Sequence, residues 1–159
     1  MLQAIYEAVD CADLGAQVFF ADFWKGFYLI DHNILMTELR KLEVDPTLLT
    51  CIAVFLTDRQ QAVRIGATLS DWNSSRGVPQ GTKLGVILFT IMTKNLLADW
   101  HLRVKFVDDT SAIEILPRNS ISLLNSILSD IHKFSMDHNM RLNPKIGRAS
   151  CRERVCQYV

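Results

Sequence analysis

The chain has 159 residues, of which 49% are hydrophobic and 21% are charged. This composition supports one domain with a buried core and excludes a disordered tail or a collagen-like fibre. Its 17 basic and 17 acidic side chains cancel, which argues against a nucleic-acid binder that relies on overall charge. No apolar run is long enough to span a bilayer, and the first ten residues lack a basic leader segment, so we expect an intracellular domain with no membrane partner.

The first part of the chain predicts one buried strand and two helices. Gln17–Asp22 is a short apolar run that ends on an acid, which is typical of a buried strand. Asp31 is a candidate N-cap for a helix whose apolar residues recur at helical spacing, namely Ile34, Leu35, Leu39 and Leu42. Asp45 and Pro46 mark the start of a second helix, roughly Thr47–Thr57, which is apolar on most sides and which we expect to be buried.

The middle of the chain predicts a strand, a loop and a core helix. Gln61–Ile65 has the composition of a strand, and Gly66 closes it. Two glycines and one proline in Gly77–Gly81 predict a loop with a defined chain path. The apolar stretch Leu84–Trp100 follows this loop and is best interpreted as a core helix.

The remaining elements are a hairpin and a long helix. Leu102–Val107 alternates between apolar and polar residues, Asp108 and Asp109 form a tight turn, and Thr110–Leu116 returns as a second strand. One face of an amphipathic helix is then formed by Ile121, Leu124, Ile127, Leu128, Ile131 and Phe134. Helices and strands interleave around this hairpin, so we expect an α+β fold in which an antiparallel sheet carries its helices on one face.

The last fourteen residues, IGRASCRERVCQYV, differ in character from the sequence before them. They show no apolar periodicity, and the stretch Ile146–Val155 resembles the conceptual translation of a common sequencing adaptor. We therefore expect residues 146–159 to be a non-native, adaptor-derived tail, with a short basic tail as the alternative. The three arginines and one glutamate of this segment leave 14 basic and 16 acidic side chains in residues 1–145.

The cysteines do not form a recognisable framework. Two of the four, Cys151 and Cys156, lie in the C-terminal segment. Cys11 and Cys51 stand in or beside apolar sequence, and their spacing does not match that of metal ligands. We therefore expect these two residues to be buried, reduced thiols rather than partners in a disulfide.

Three acids stand at the ends of apolar strands: Asp22, Asp108 and Asp109. If the strands bring them together, the carboxylates repel one another unless a cation neutralises them. Carboxylate oxygens suit Mg²⁺, which takes its other ligands from water and substrate phosphates. An Asp-Asp pair in a hairpin turn is, by itself, more typical of turn chemistry, because Asp tolerates the backbone angles that turns require.

Four segments of the chain, considered together, favour a cation site over ordinary turn chemistry at these acids. They are FADFWKGFYLIDH (20–32), RGVPQGTKLGVILF (76–89), KFVDDT (105–110) and NMRLN (139–143). In this order they resemble the four catalytic motifs of reverse transcriptases from non-LTR (LINE-type) retrotransposons, and the second is the most specific. The resemblance covers nearly all of residues 17–145.

The resemblance implies a fold and a reaction. Residues 17–145 would be a polymerase palm with a ferredoxin- or RRM-like antiparallel sheet, and residues 1–16 a remnant of the fingers or a linker. The fingers and the thumb would be largely missing. The intact protein would be an RNA-directed DNA polymerase that binds an RNA template, a DNA primer and dNTPs, and an endonuclease domain of the same polyprotein stays an open question.

The resemblance also assigns the metal ligands and one substrate contact. Asp22 and Asp108 would bind two Mg²⁺ ions, or Mn²⁺ in their place, with Asp109 beside them as a third catalytic carboxylate. Phe27 would be the aromatic gate beneath the sugar of the incoming nucleotide, where a bulky ring clashes with a ribose 2′-hydroxyl. Without the resemblance, Phe27 is equally well interpreted as a core aromatic at the start of a helix.

The second motif would supply the remaining substrate contacts. In the loop of that motif, Gly77, Pro79 and Gly81 would let the backbone approach the templating base pair, with Gln80 as the polar contact. The helix after the loop would offer its N-terminal amides to phosphate. Arg59 and Gln60 also match a family feature, but we interpret them as solvated surface.

Two positions depart from the family pattern. The family usually has Ala-Phe-Asp where this chain has Gly-Phe-Tyr at residues 26–28, so an acid is replaced by Tyr28. A lysine is expected three residues after Asn143, where this chain has Ile146. The alternative function is therefore a catalytically inactive relic or a palm-like interaction module, and we expect the truncated chain to be inactive by itself.

Overall fold

The structure is a computed structural model that describes residues 2–11, 13–74, 77–117, 120–143, 148–152 and 155–158. The chain divides into two compact units. Unit 1 consists of residues 1–24 and 94–159, and unit 2 consists of residues 25–93. Within the described ranges, no helix is both long enough and apolar enough to cross a membrane.

Five α-helices and nine strands are present in the described part of the chain. In chain order they are α1 (Leu2–Asp10), β1 (Leu14–Ala21), α2 (His32–Lys41), α3 (Pro46–Leu56), β2 (Gln60–Gln61), β3 (Arg64–Ile65), β4 (Thr68–Leu69), β5 (Asn73–Ser74), α4 (Lys83–Met92), β6 (Arg103–Phe106), β7 (Asp109–Pro117), α5 (Leu124–Asp137), β8 (Arg148–Arg152) and β9 (Val155–Tyr158). A short 3₁₀ helix, Gly26–Tyr28, lies between β1 and α2.

Unit 1 is built on a five-stranded sheet in the order β6-β7-β1-β8-β9. Its strand pairs are antiparallel, and β1 aligns with β7 from Leu14 opposite Pro117 to Ala21 opposite Thr110. The central position of β1 explains its nearly continuous burial, because neighbouring strands satisfy its backbone on both sides. The prediction of a buried strand that ends at the first acid is confirmed, and so is the α+β fold with an antiparallel sheet.

The C-terminal segment contributes two strands to this sheet. Strand β8 pairs with β1 from Ala16 opposite Cys151 to Phe19 opposite Arg148, and β9 pairs with β8. Backbone hydrogen bonds alone are enough to extend a sheet edge, so a segment without alternating hydrophobicity can still occupy it. The adaptor origin of residues 146–159 therefore stays a prediction.

A buried carboxylate fixes the start of α5. Glu114 on β7 is 7% exposed and accepts hydrogen bonds from Ser122 Oγ at 2.7 Å and from the Leu123 backbone N–H at 2.6 Å. The helix consequently begins at Leu124 rather than near Ile121, which is 92% exposed. The predicted apolar face is otherwise buried at Leu124, Ile127, Ile131 and Phe134, although Leu128 is 38% exposed.

We expect Glu114→Ala to lower the free energy of unfolding by about 2 kcal/mol, since it leaves two donors at the start of α5 without their acceptor. Chemical denaturation of the two proteins measures this difference. The control is Asp130→Ala, because Asp130 is an exposed acid on α5. An equal loss for both variants would show that the Glu114 contacts contribute nothing of their own.

Unit 2 begins with two capped helices. Asp31 accepts hydrogen bonds from the backbone N–H groups of Asn33 and Ile34, so the predicted N-cap of α2 is confirmed. Asp45 caps α3 in the same way, with Pro46 at its first turn. The backbone hydrogen bond from Thr47, together with the other cap contacts, lowers the pKa of the Asp45 carboxyl.

The expected burial of α3 is wrong. Only Ile52 and Leu56 are buried in this helix, whereas Val54 is 72% exposed. The expected burial of the two thiols is wrong as well, because Cys51 on the same helix and Cys11 after α1 are both exposed. A helix that is apolar on most sides can still bury only the face that meets its neighbours, so composition alone overestimated its burial.

The predicted core helix Leu84–Trp100 is too long, because α4 ends at Met92. The carbonyls of Lys94 and Leu96 accept hydrogen bonds from the Arg103 guanidinium, and Leu97 has a positive φ of 51°. The helical pattern is therefore replaced by turns. The spacing of apolar residues in this segment does not predict the contact, because the contact depends on a side chain of β6.

The strand predicted over Gln61–Ile65 is also wrong in its extent. It is divided between β2, which pairs with β5, and β3, which pairs with β4. Gly66 lies in the turn after β3 with a φ of +60°, as a turn glycine should. Asp109 was expected in the hairpin turn but is the first residue of β7, opposite Phe106.

Candidate active site

The three predicted carboxylates lie at one end of the unit 1 sheet. Asp22 directly follows β1, and the β1–β7 register, extended by one residue beyond Ala21 opposite Thr110, places it opposite Asp109. Directly opposed residues on antiparallel strands have Cα atoms roughly 4.5–5.5 Å apart. Asp108 lies in the adjacent turn, and all three residues are exposed. The fold thus brings together residues that are far apart in sequence.

The donor set at this sheet end has the chemistry that a hard divalent cation requires, since all three side chains offer carboxylate oxygens. In the part of the chain that the structure describes, no group of three or more His, Cys, Asp or Glu side chains is arranged to hold a metal ion. The residues fit a cation in type and backbone placement.

Asp22 has a specific partner that the sequence did not predict. Asn143 Nδ2 donates a hydrogen bond to Asp22 Oδ2 at 2.7 Å. The backbone pairs as well, because the Asn143 N–H donates to the Asp22 carbonyl oxygen at 3.0 Å. The fourth motif therefore lies directly beside the start of the first. The order of the motifs was a signal for this neighbourhood, although it did not identify the contact.

Strand β6 carries two basic residues, and Lys105 is the one closer to the end of the sheet that holds the aspartates. Burial, with a smaller contribution from the charge of Arg103, lowers the pKa of Lys105 to about 8, while Asp108 acts in the opposite direction. The ordinary value is 10.5, so between these two pH values the unfolded chain binds more protons than the folded chain. The contribution of Lys105 to the free energy of unfolding consequently rises with pH across this window.

We expect Lys105→Met to flatten this pH dependence of the free energy of unfolding between pH 8 and 10.5, because it removes the group whose pKa falls on folding. Denaturation at a series of pH values measures the slope for the parent and the variant. Lys133→Met, at an exposed position on α5, is the matched control for the loss of a lysine. A slope that is the same in the parent and Lys105→Met would contradict the prediction.

In unit 2, the second motif meets the middle of the first at Phe27 and Gly77. Phe27 is 8% exposed, and its ring stacks on Phe89 with the centroids 4.5 Å apart. Gly77 has a φ of +66°, and a Cβ there would overlap the Phe27 carbonyl oxygen. The Val78 N–H donates to that same oxygen at 2.8 Å. The burial of Phe27 agrees with a core aromatic, and its role as a nucleotide gate stays a prediction.

Two side chains converge on the carbonyl of Gly77. His32 Nε2 lies 2.7 Å from this oxygen, and Arg59 Nη2 donates to it at 2.6 Å. Because a carbonyl only accepts, His32 must carry its proton on Nε2. Arg59 is partly buried and this burial lowers the pKa of its guanidinium, whereas Gln60 is exposed, so the interpretation as solvated surface is confirmed for Gln60 only. His32 belongs to the first motif, but the sequence pattern predicted no role for it.

The rest of the second-motif loop is more open. Gln80 and Gly81 are exposed, whereas Pro79 is partly buried. The Pro79 carbonyl accepts a hydrogen bond from Thr82 Oγ1, and Thr82 caps α4 by accepting from the Gly85 N–H. A Cβ at Gly85 would overlap the Pro79 carbonyl oxygen, so this missed glycine is required by close packing. Arg76, Lys145 and Ile146 lie outside the described residues.

Solved structures with a similar fold include telomerases. Telomerase from Candida tropicalis, in complex with a TWJ fragment of telomeric RNA, gives a TM-score of 0.67 at 12% identity, over 94% of this chain and 28% of that chain. Telomerase from Candida albicans, also with a TWJ fragment, gives a TM-score of 0.64 at 15% identity, over 98% and 30%. The chain thus spans less than a third of the length of these structures.

No curated protein matches the sequence at a significant level. The family described as reverse transcriptase (RNA-dependent DNA polymerase) matches residues 9–152, which is well over half of the chain and includes all three aspartates at the sheet end. Together with the antiparallel fold shared with the telomerases, this match identifies the chain as a member of the reverse transcriptase family.

Proposed function

We propose that this chain is the palm segment of an intracellular RNA-directed DNA polymerase from a non-LTR retrotransposon. The reaction would join a dNTP to a primer 3′-hydroxyl on an RNA template. The observation that carries the proposal is the placement of Asp22 beside the Asp108–Asp109 hairpin in a chain that belongs to the reverse transcriptase family. The fold and the family support the reaction class, and the motif resemblance supports the retrotransposon origin.

In this proposal, Asp22 and Asp108 are the cation ligands, with Asp109 as the neighbouring third carboxylate. Bound Mg²⁺ would supply the electrostatic stabilisation that nucleotidyl transfer requires at the attacking and leaving oxygens. The contribution of the protein is to hold the carboxylates at the end of rigid strands, so that little reorganisation is needed during the reaction. Their exposure leaves this end of the sheet accessible to a primer end.

Phe27 and the loop of the second motif would contact the nucleotide and the template. Gly77 holds the loop against the backbone of Phe27, and Gln80 at the exposed part of the loop is available for a polar contact. A ring held by packing against Phe89 has a fixed position, which is what discrimination against a 2′-hydroxyl requires. The proposed substrates are therefore deoxynucleotides.

Primer extension on poly(rA)/oligo(dT) tests the proposal. We expect a longer form that includes fingers and thumb to extend the primer, and this chain to show no extension and no submicromolar binding of the primer-template. The chain has equal numbers of basic and acidic side chains, so it lacks the excess of phosphate-neutralising groups on which nucleic-acid affinity depends. Extension by the isolated chain would show that the palm holds its substrates unaided.

The alternative is a catalytically inactive relic, and Tyr28 is the observation that favours it. This residue replaces the usual acid of the first motif and is 45% exposed. A longer form carrying Tyr28→Asp distinguishes the two proposals. If the form with Tyr28 is inactive and the aspartate restores extension, the chain descends from an active polymerase but is itself a relic.

A further inference from the structure

One oxygen of the Asp22 carboxylate is engaged by an amide. The hydrogen bond from Asn143 Nδ2 to Asp22 Oδ2 is 2.7 Å long and joins residues 121 positions apart. A carboxylate only accepts hydrogen bonds, so the amide must present its NH₂ group here. Hydrogen bonds to an ionised acceptor are shorter and stronger than neutral ones, and this length is typical of them.

The backbone around Asp22 holds this amide in place. The Asn143 N–H donates to the Asp22 carbonyl oxygen at 3.0 Å, and the Trp24 N–H donates to the Arg141 carbonyl oxygen at 2.8 Å. Between these two bonds, Phe23 and Leu142 form an antiparallel bridge. Asn143 therefore has a backbone position set by Asp22 itself, and its side chain starts from a fixed point.

The path of the chain into this pairing is set by the end of α5. Asn139 has a positive φ of 55°, its N–H donates to the Met136 carbonyl, and the Met140 N–H donates to the Ser135 carbonyl at 2.9 Å. This is the Schellman pattern, in which one left-handed residue reverses the chain after a helix. The Arg141 guanidinium then lies over the Trp24 ring, 4.8 Å from its centroid.

We propose that Asn143 is a positioning residue for the cation site: its amide holds Oδ2 of Asp22 and leaves Oδ1 as the oxygen that binds the ion. This inference rests on the proposed function, since it requires Asp22 to be a cation ligand. An exposed aspartate otherwise distributes its carboxylate over several rotamers, and restricting them lowers the entropic cost of binding an ion. Partners of ligating carboxylates have this effect at metal sites generally.

The experiment measures Mn²⁺ affinity by electron paramagnetic resonance on the 159-residue chain. We expect Asn143→Leu to weaken Mn²⁺ binding about tenfold, because it removes the donor and keeps the approximate volume. In an Asp22→Ala background the same substitution should have no further effect. Asn139→Gly is the matched control, because it removes an asparagine amide from the same segment and keeps the left-handed backbone.

The outcomes separate the inference from the proposed function. Equal Mn²⁺ affinity for the parent and Asn143→Leu would overturn the inference while the cation site stands, as would an equal loss in the presence and absence of the Asp22 carboxylate. If Asp22→Ala and Asp108→Asn both leave Mn²⁺ binding unchanged, the cation site itself is wrong and the inference falls with it. Unfolding of each variant in the absence of metal measures whether its fold is retained. Asn143→Ser replaces Asn143→Leu if the leucine variant does not fold.

Discussion

Under the proposed function, Asp108→Asn should abolish primer extension by a longer form of this protein, with a loss on the order of 10³-fold or more. The substitution keeps the shape of the side chain and removes the charge that a cation needs. Metal ions contribute several kcal/mol to transition-state charge stabilisation, and about 1.4 kcal/mol corresponds to each tenfold change in rate. Steady-state extension on poly(rA)/oligo(dT) measures the loss.

The fold should be nearly unaffected by this change, because Asp108 is exposed in the hairpin turn. Exposed substitutions of this kind usually change the free energy of unfolding by less than about 0.5 kcal/mol. Asp130→Asn, at an exposed position on α5, is the matched control and should retain full extension. Unchanged extension by Asp108→Asn would refute the assignment of this residue as a cation ligand.

Gly77→Ala should destabilise unit 2 by about 3–5 kcal/mol, which is comparable with the whole stability of a small domain. Two effects combine at this position. The φ of +66° is unfavourable for any residue with a Cβ, and the added Cβ would overlap the carbonyl oxygen of Phe27. That oxygen belongs to the backbone and accepts the Val78 N–H, so it cannot move away at low cost.

The chain contains a control that separates these two effects. Gly81 has a φ of +84°, but nothing lies within 4 Å of an added Cβ. Gly81→Ala should therefore lose only the conformational term, about 1–2 kcal/mol. Chemical denaturation of both variants measures the difference. Equal losses would show that the packing of Gly77 against Phe27 is not what requires glycine.

The sequence determined the features that depend on neighbouring residues. Asp31 and Asp45 were recognised as N-caps because a cap is completed within three residues by backbone N–H groups. The strand that ends before Asp22 was recognised because a short apolar run between polar residues is a local pattern. The order of the four motifs then led to the prediction that the three aspartates form the site, and the register of β1 and β7 brings the backbone positions of Asp22 and Asp109 together.

The tertiary structure alone decided the contacts between distant segments. Asn143 reaches Asp22 across 121 positions, and Arg59 reaches the Gly77 carbonyl across 18. No periodicity encodes such a pairing, because it depends on how a turn after α5 and a loop before α4 direct the chain. For the same reason, the exposure of Cys51 depends on which face of α3 meets its neighbours. The apolar residues around Cys51 do not predict which face that is.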